Sequence, residues 1–259
     1  MSDPELNAFD EDEVKDWINP GIPGIKSMLD GAGFPRGHTI LVSGGPGSGK
    51  TTLGIQFLYE GAANYNQPGI YITLDEDPAD IKKNMSSFGW DLETLEKEIR
   101  LIFIDVSPVR VVPTDRAGLV QLGMQEFKLV KLLEAIHSGI DEIGAERVVI
   151  DPVTIFMLQY PSQTERTHAL RDLIAELRKT PCTNLLISEL RGTGMDREYQ
   201  FEEYLSQGVI LLRTFPRADK LTRMLQIEKM RGVNIDPQPR PYEIGENGIE
   251  VFPTLTAFG

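Results

Sequence analysis

A chain of 259 residues, 41% of them hydrophobic, is long enough to bury one large core and short for two. Its 39 acidic against 26 basic residues leave a formal net charge of -13, so the surface as a whole repels nucleic acid and anionic lipid. One cysteine, Cys182, excludes an intramolecular disulfide and argues against a cysteine-based zinc site, and His38, His137 and His168 lack metal-ligand spacing.

In chain order, the acidic residues between Asp3 and Asp16 predict a leader over 1–20 that begins as a solvated tail, followed by one domain over 21–259. The leader has neither the basic start nor the apolar stretch of a signal peptide. Every apolar run falls short of the ~20 residues that span a membrane, which predicts a cytoplasmic protein with no membrane partner. "NPGIPGIKSMLDGAGFPRG" reads as an ordered loop with one helical turn around Ile25 to Leu29. Strands are predicted at 38–43, 69–74, 101–105, 147–151 and 183–188, and helices at 50–63, 78–88, 124–142 and 166–179, where apolar residues recur at three and four. Such alternation predicts an α/β fold with a mostly parallel sheet covered on both faces. Beyond Gly208, "GVILLR", "RMLQIEKM", "YEIG" and "IEVFP" read as antiparallel strands extending it.

"SGGPGSGKTT" joins the strand at 38–43 to the helix at 50–63. Ordering four glycines costs conformational entropy, so a run like this points to a ligand that must approach the backbone closely. Gly44, four intervening residues, then Gly49, Lys50 and Thr51 match the P-loop pattern in its required setting between strand and helix. Gly45, Pro46, Gly47, Ser48, Gly49, Lys50, Thr51 and Thr52 would then cradle the phosphates of ATP or ADP at a helix N-terminus. Lys50 would reach the β and γ phosphates, and the Thr51 hydroxyl would coordinate Mg2+. "RVVIDP" ends a buried strand in Asp151, a carboxylate placed either to orient the metal's water shell or to cap the next turn. Asp75, Glu76 and Asp77 follow the strand at 69–74, at the carboxyl edge where α/β sheets bind ligands. The residues alone leave open whether they position the attacking water or form a solvated turn. Lys229 and Arg231, two apart near the end of a predicted strand, share one of its faces by period two; a solvated surface pair explains them equally.

"FPRGHTILVSGGPGSGKTTLGIQFLYEGA", "GIYITLDEDPADI", "VVIDPVT" and "LQIEKMRG" together resemble a KaiC-type ATPase domain of the RecA superfamily, from Ile22 to Phe252. That resemblance implies a RecA-like P-loop fold and ATP hydrolysis, with two adjacent catalytic carboxylates at the positions of Asp75 and Glu76. The family commonly has Glu-Glu there, so Asp75 is a departure and Glu76 is the expected principal base. It also implies that Lys229 and Arg231 reach across a subunit boundary to a neighbour's γ-phosphate within a hexamer. Where the family's autokinase domain carries Ser and Thr acceptors, this chain has Glu203 and Tyr204, so autophosphorylation is not expected, with Ser206 and Tyr204 as weak acceptors. A DNA motor of the wider superfamily would need phosphate tracks in 107–123 and 190–207, where Arg110, Arg116, Arg191 and Arg197 are offset by acids. A nucleotide-sensing module with little turnover is the third reading, supported by Asp75.

Overall fold

The computed structural model describes residues 17–107, 111–112, 120–121, 129–190, 199–217 and 220–255. Trp17–Ile18 (β1) pairs antiparallel with Phe34–Pro35 (β2), and the expected helical turn, Ile25–Met28 (α1), lies between them. Then come Thr39–Gly44 (β3), Lys50–Asn64 (α2), Gly69–Thr73 (β4), Pro78–Met85 (α3), Leu92–Lys97 (α4) and Leu101–Asp105 (β5). A two-residue ribbon, Val111–Val112 (β6) with Val120–Gln121 (β7), precedes Leu129–Ile143 (α5), Arg147–Asp151 (β8), Val153–Leu158 (α6), Gln163–Leu177 (α7) and Thr183–Glu189 (β9). The chain closes with Phe201–Leu205 (α8), Gly208–Arg217 (β10), Lys220–Met230 (β11), Arg240–Gly245 (β12) and Gly248–Val251 (β13).

Among the described residues, nine strands form one sheet in the order β13-β12-β11-β10-β3-β9-β8-β4-β5. From β10 to β5 every pairing is parallel, and from β10 outward to β13 every pairing is antiparallel. "GVILLR" therefore does more than the sequence reading expected: as the start of β10 it joins the parallel sheet beside β3 and turns the antiparallel extension onto its other side.

Both faces of the central parallel strands β3, β4, β8 and β9 are buried, which is why they are near-continuous apolar runs. Ile40 and Val42 of β3 pack with Leu53, Phe57 and Leu58 of α2 in one layer, while Leu41 packs with Ile136 of α5, Phe156 of α6 and Leu173 of α7 in the other. Local signals set the helix starts. Asp77 caps α3 by accepting from the Ala79 amide at 2.7 Å with Pro78 in the first turn, and a capping box joins Ser162 to Glu165 at the start of α7.

Two devices fix α2 against the sheet. Arg147, at the start of β8, is fully buried, and its guanidinium donates to the carbonyls of Phe57 (2.6 Å) and Asn19 (2.8 Å) and to the Gln67 side chain. From the other side the Gln56 side chain accepts from the Ile249 amide at 2.7 Å and donates to the Ile249 carbonyl at 3.1 Å, tying α2 to β13. Arg147, Val149 and Asp151 alternate with Val148 and Ile150 along β8, so the strand that grips the body of α2 at one end presents Asp151 to its N-terminus at the other.

The expected helix over 124–142 begins at Leu129 within the described residues, and its residues 124–128 lie outside them. So do the leader residues 1–16 and, from the weighed DNA loops, Arg110, Asp115, Arg116, Arg191, Asp196, Arg197 and Glu198.

Candidate functional site

The phosphate loop runs from the carboxyl end of β3 into α2, and only glycine fits at its two ends. A Cβ on Gly44 would stand 2.4 Å from Ser48 Oγ and 2.9 Å from the Leu212 carbonyl. Gly49 has φ +86°, and its Cβ would meet Ile244 of β12 at 2.7 Å. Between them the chain leaves space: a Cβ on Gly45 or Gly47 would touch nothing within 4 Å. Gly49 caps α2 without a side-chain hydrogen bond, so the first amides of this helix, from Lys50, Thr51 and Thr52 onward, face that space with the positive end of the helix dipole. Pro46 is exposed at the tip, and Ser48 is buried beneath it. The loop is held from outside by Tyr242 of β12, whose hydroxyl donates to the Ser48 carbonyl at 2.6 Å.

Lys50 Nζ donates to the carbonyls of Gly44 (3.0 Å) and Gly45 (3.1 Å), which turns the ammonium back over its own loop. Burial holds it below the ordinary lysine range, against the opposing pull of Asp151 and Glu189. Beside it, Thr51 Oγ1 donates to Asp151 Oδ2 at 2.7 Å, and Tyr71 donates to the same oxygen at 2.6 Å. Asp151 is 7% exposed. Burial raises its carboxyl above the usual aspartate range, and the two hydroxyl donors and the Lys50 charge pull it back. The structure thus brings together the phosphate loop, Thr51 and Asp151. Among the described residues no three His, Cys, Asp or Glu side chains form a cage for a metal, so what the chain offers a cation here is one carboxylate and one hydroxyl. Two hard oxygen donors beside a phosphate cradle fit Mg2+, which keeps water and phosphate as its other ligands.

Asp75 and Glu76 follow β4, whose Thr73 pairs with Asp151 of β8, so the acids stand at the same carboxyl edge as Asp151. The Thr73 hydroxyl braces this turn, donating to the Glu76 carbonyl at 2.7 Å and accepting from its amide at 3.1 Å, while both acid side chains stay exposed. Although Asp75 reaches solvent, the protein against part of its carboxyl pushes it up to about 6, together with the charges of Asp151 and Glu76. A raised aspartate makes the ionised form a cost to the folded state. Its stabilising contribution is full below the ordinary value of 3.8 and is lost as the pH rises to about 6. Asp75→Asn is therefore expected to raise the melting temperature of the nucleotide-free protein above about pH 7, by about 2 °C after solvent screening, with the gain fading toward about pH 4. Calorimetric scans of both proteins across that window check it.

Lys229 and Arg231 lie elsewhere. Lys229 pairs with Val209, which pairs with Leu41 early in β3, whereas the phosphate loop follows Gly44, opposite Leu212. Both cations converge on the last turn of α8: Lys229 donates to the Glu203 carbonyl and Arg231 to that of Tyr204 at 3.5 Å. Arg231 sits one residue past the end of β11, so the shared direction comes from α8 rather than from strand period alone. Glu203 and Ser206 are buried there, and Ser206 Oγ donates to the Glu202 carbonyl at 2.8 Å, while Tyr204 is exposed. Sequence reasoning missed Tyr71, Thr73 and Tyr242. The first two carried a signal, being polar positions in step with Asp75 along the apolar run "GIYITL"; Tyr242 is joined to the loop only by the fold.

A parallel sheet with a phosphate loop after β3 and an acid ending β8 defines a RecA-like P-loop nucleotide-binding fold. The chain belongs to the KaiC ATPase family, whose model, described as "ATPase: KaiC", matches residues 18–256. It is 38% identical over 235 residues to the circadian clock oscillator protein KaiC of Parathermosynechococcus lividus, covering 90% of this chain and 42% of that protein. The KaiC of Synechococcus elongatus is 36% identical over 239 residues, covering 90% of this chain and 44% of that protein. This chain thus spans less than half the length of these clock proteins. Among solved structures, the KaiC-like protein PH0186 from Pyrococcus horikoshii OT3 superposes with a TM-score of 0.77 at 34% identity, covering 92% of this chain and 99% of that one. No helix among the described residues is long and apolar enough to cross a membrane.

Proposed function

We propose that residues 21–259, with β1 at the end of the acidic leader 1–20 packed onto them, act as one Mg2+-dependent ATPase unit, which hydrolyses ATP to ADP and phosphate within a homohexameric ring and serves as a regulatory or conformational switch. The observation that carries this reading is the pairing of Thr51 with Asp151 beside Lys50 at the uncapped start of α2. Lys50 leaves the Gly44 and Gly45 carbonyls for the β and γ phosphates, and the amides of Gly47 to Thr52 receive the phosphate oxygens. Thr51, through its hydroxyl oxygen, and Asp151, through the water shell, would hold the cation. Mg2+ would supply neutralisation of the charge on the β- and γ-phosphate oxygens. Glu76, on the turn braced by Thr73, orients the attacking water and accepts its proton, with Asp75 beside it as the lesser carboxylate. Lys229 and Arg231 act on the γ-phosphate of the neighbouring subunit, because within their own chain they sit toward the other end of β3.

Lys50→Ala tests the phosphate site. It is expected to weaken ATP binding by about 10- to 100-fold, the loss of charge-assisted bonds to phosphate, with an unchanged circular dichroism spectrum. Parental affinity in a titration with a fluorescent ATP analogue overturns the assignment. Turnover that rises on adding single-stranded DNA would favour a DNA motor instead, and binding without turnover a sensing module.

A further inference from the structure

Asp151 Oδ2 accepts two hydroxyl hydrogen bonds, one from Thr51 of the phosphate loop and one from Tyr71 in the middle of β4. The second is not part of the phosphate-binding motif. Tyr71 is 1% exposed, and its ring packs at 5.4 Å against that of Phe103 on β5. Packing in this layer would be met by a phenylalanine. A buried phenol needs a partner for its hydroxyl, and the 2.6 Å bond to Asp151 supplies one at the point where the site would hold a cation.

We infer that Tyr71 is a positioning residue of the metal site: its hydroxyl and that of Thr51 hold Asp151 through one carboxylate oxygen and leave the other to the metal's water shell. The two donors come from different elements, α2 and β4, so the carboxylate is fixed from two directions. Two donors on one oxygen restrict the carboxylate more than one would, so it is set before a cation arrives. The Thr51 hydroxyl can keep its proton on Asp151 while offering its lone pairs to a cation, because a hydroxyl both donates and accepts. Phe103, in turn, limits where the Tyr71 ring can go. Lys82 of α3 lies 5.5 Å from the centre of the Phe103 ring and bonds Glu96 of α4 at 2.8 Å, so the support extends into the helices beside this edge of the sheet.

This inference rests on Asp151 being the metal-side carboxylate, and the test separates the two. Mn2+ binding to the full chain is measured by electron paramagnetic resonance with a non-hydrolysable ATP analogue present, and binding of the same analogue is measured in EDTA. The proteins are the parent, Tyr71→Phe, Asp151→Asn, and a variant in which Tyr71 is replaced by 4-aminophenylalanine, which puts a donor back on the ring. Tyr71→Phe is expected to weaken Mn2+ binding by about 10- to 100-fold while leaving analogue binding in EDTA unchanged, and 4-aminophenylalanine is expected to recover most of the loss. Unchanged binding in EDTA also reports an intact loop, which separates positioning from damage to the fold. Parental Mn2+ affinity in Tyr71→Phe, or an equal loss with and without metal, overturns the role of Tyr71. If Asp151→Asn weakens Mn2+ binding in that case, only Tyr71 falls; if Asp151→Asn is also parental, the metal-site reading falls with it.

Discussion

Glu76→Gln is expected to leave ATP bound and to lower its turnover by about 10²- to 10⁴-fold, the range for losing a positioned general base. The amide keeps the size and hydrogen-bonding reach of the acid but takes no proton from water. The turn is held by Thr73 through the Glu76 backbone rather than through the carboxylate, and the residue is exposed. A drop in turnover with intact affinity therefore reports chemistry rather than folding. Asp75 is not an equal substitute. Its side chain is one methylene shorter, while its pKa, pushed up to about 6 by burial and by the charges of Asp151 and Glu76, also suits a general base, so the two acids are compared directly. Phosphate release under saturating ATP checks the expectation. Unchanged turnover moves the assignment to Asp75, and if Asp75→Asn is also silent, to Ser188 and Glu189 at the end of β9.

The elements that build the site were legible because their signals are local. The helix expected over 50–63 is α2, Lys50–Asn64, and the strand expected over 147–151 is β8. Glycine spacing marks the phosphate loop, and burial on both faces makes the parallel strands readable as apolar runs. Direction is not a local property. "GVILLR" has the same pattern whether it pairs parallel or antiparallel, and only its position beside β3 decides. Short helices were also hidden: α6, Val153–Leu158, is an apolar run with no visible period, and α4 spans six residues. The start of α7 at Gln163 was readable in principle from Ser162 and Glu165, three apart, yet the apolar period placed it at 166. Within the site, Asp151 was found because it ends a strand. Tyr71 was passed over because its partner lies 80 residues away, and Tyr242 because its partner Ser48 lies 194 away.

Arg231→Ala is expected to retain nucleotide but to lose about 10³-fold in turnover, because an arginine reaching the transferring phosphoryl group offsets charge that develops only in the transition state. Two facts of the structure shape this expectation. Arg231 lies toward the end of β3 opposite the phosphate loop, and the residue is exposed with one long bond to the Tyr204 carbonyl. Lys229 is the more constrained of the pair: half-buried and bonded to Glu203, it is held below the ordinary lysine range by burial and by the Arg231 charge. Lys229→Ala should therefore cost less than Arg231→Ala. Each catalytic centre then needs two subunits, and a head-to-tail ring completes every centre at once if the rotation closes. ATP with Mg2+ is expected to shift the protein toward hexamers in size measurements. The decisive measurement mixes Arg231→Ala with Lys50→Ala subunits, each inactive alone. Where an intact phosphate loop meets a neighbour's intact Arg231, turnover returns, and its dependence on mixing ratio follows the number of such junctions. No recovery in the mixture, or full activity in a protein that stays monomeric, overturns the trans arrangement.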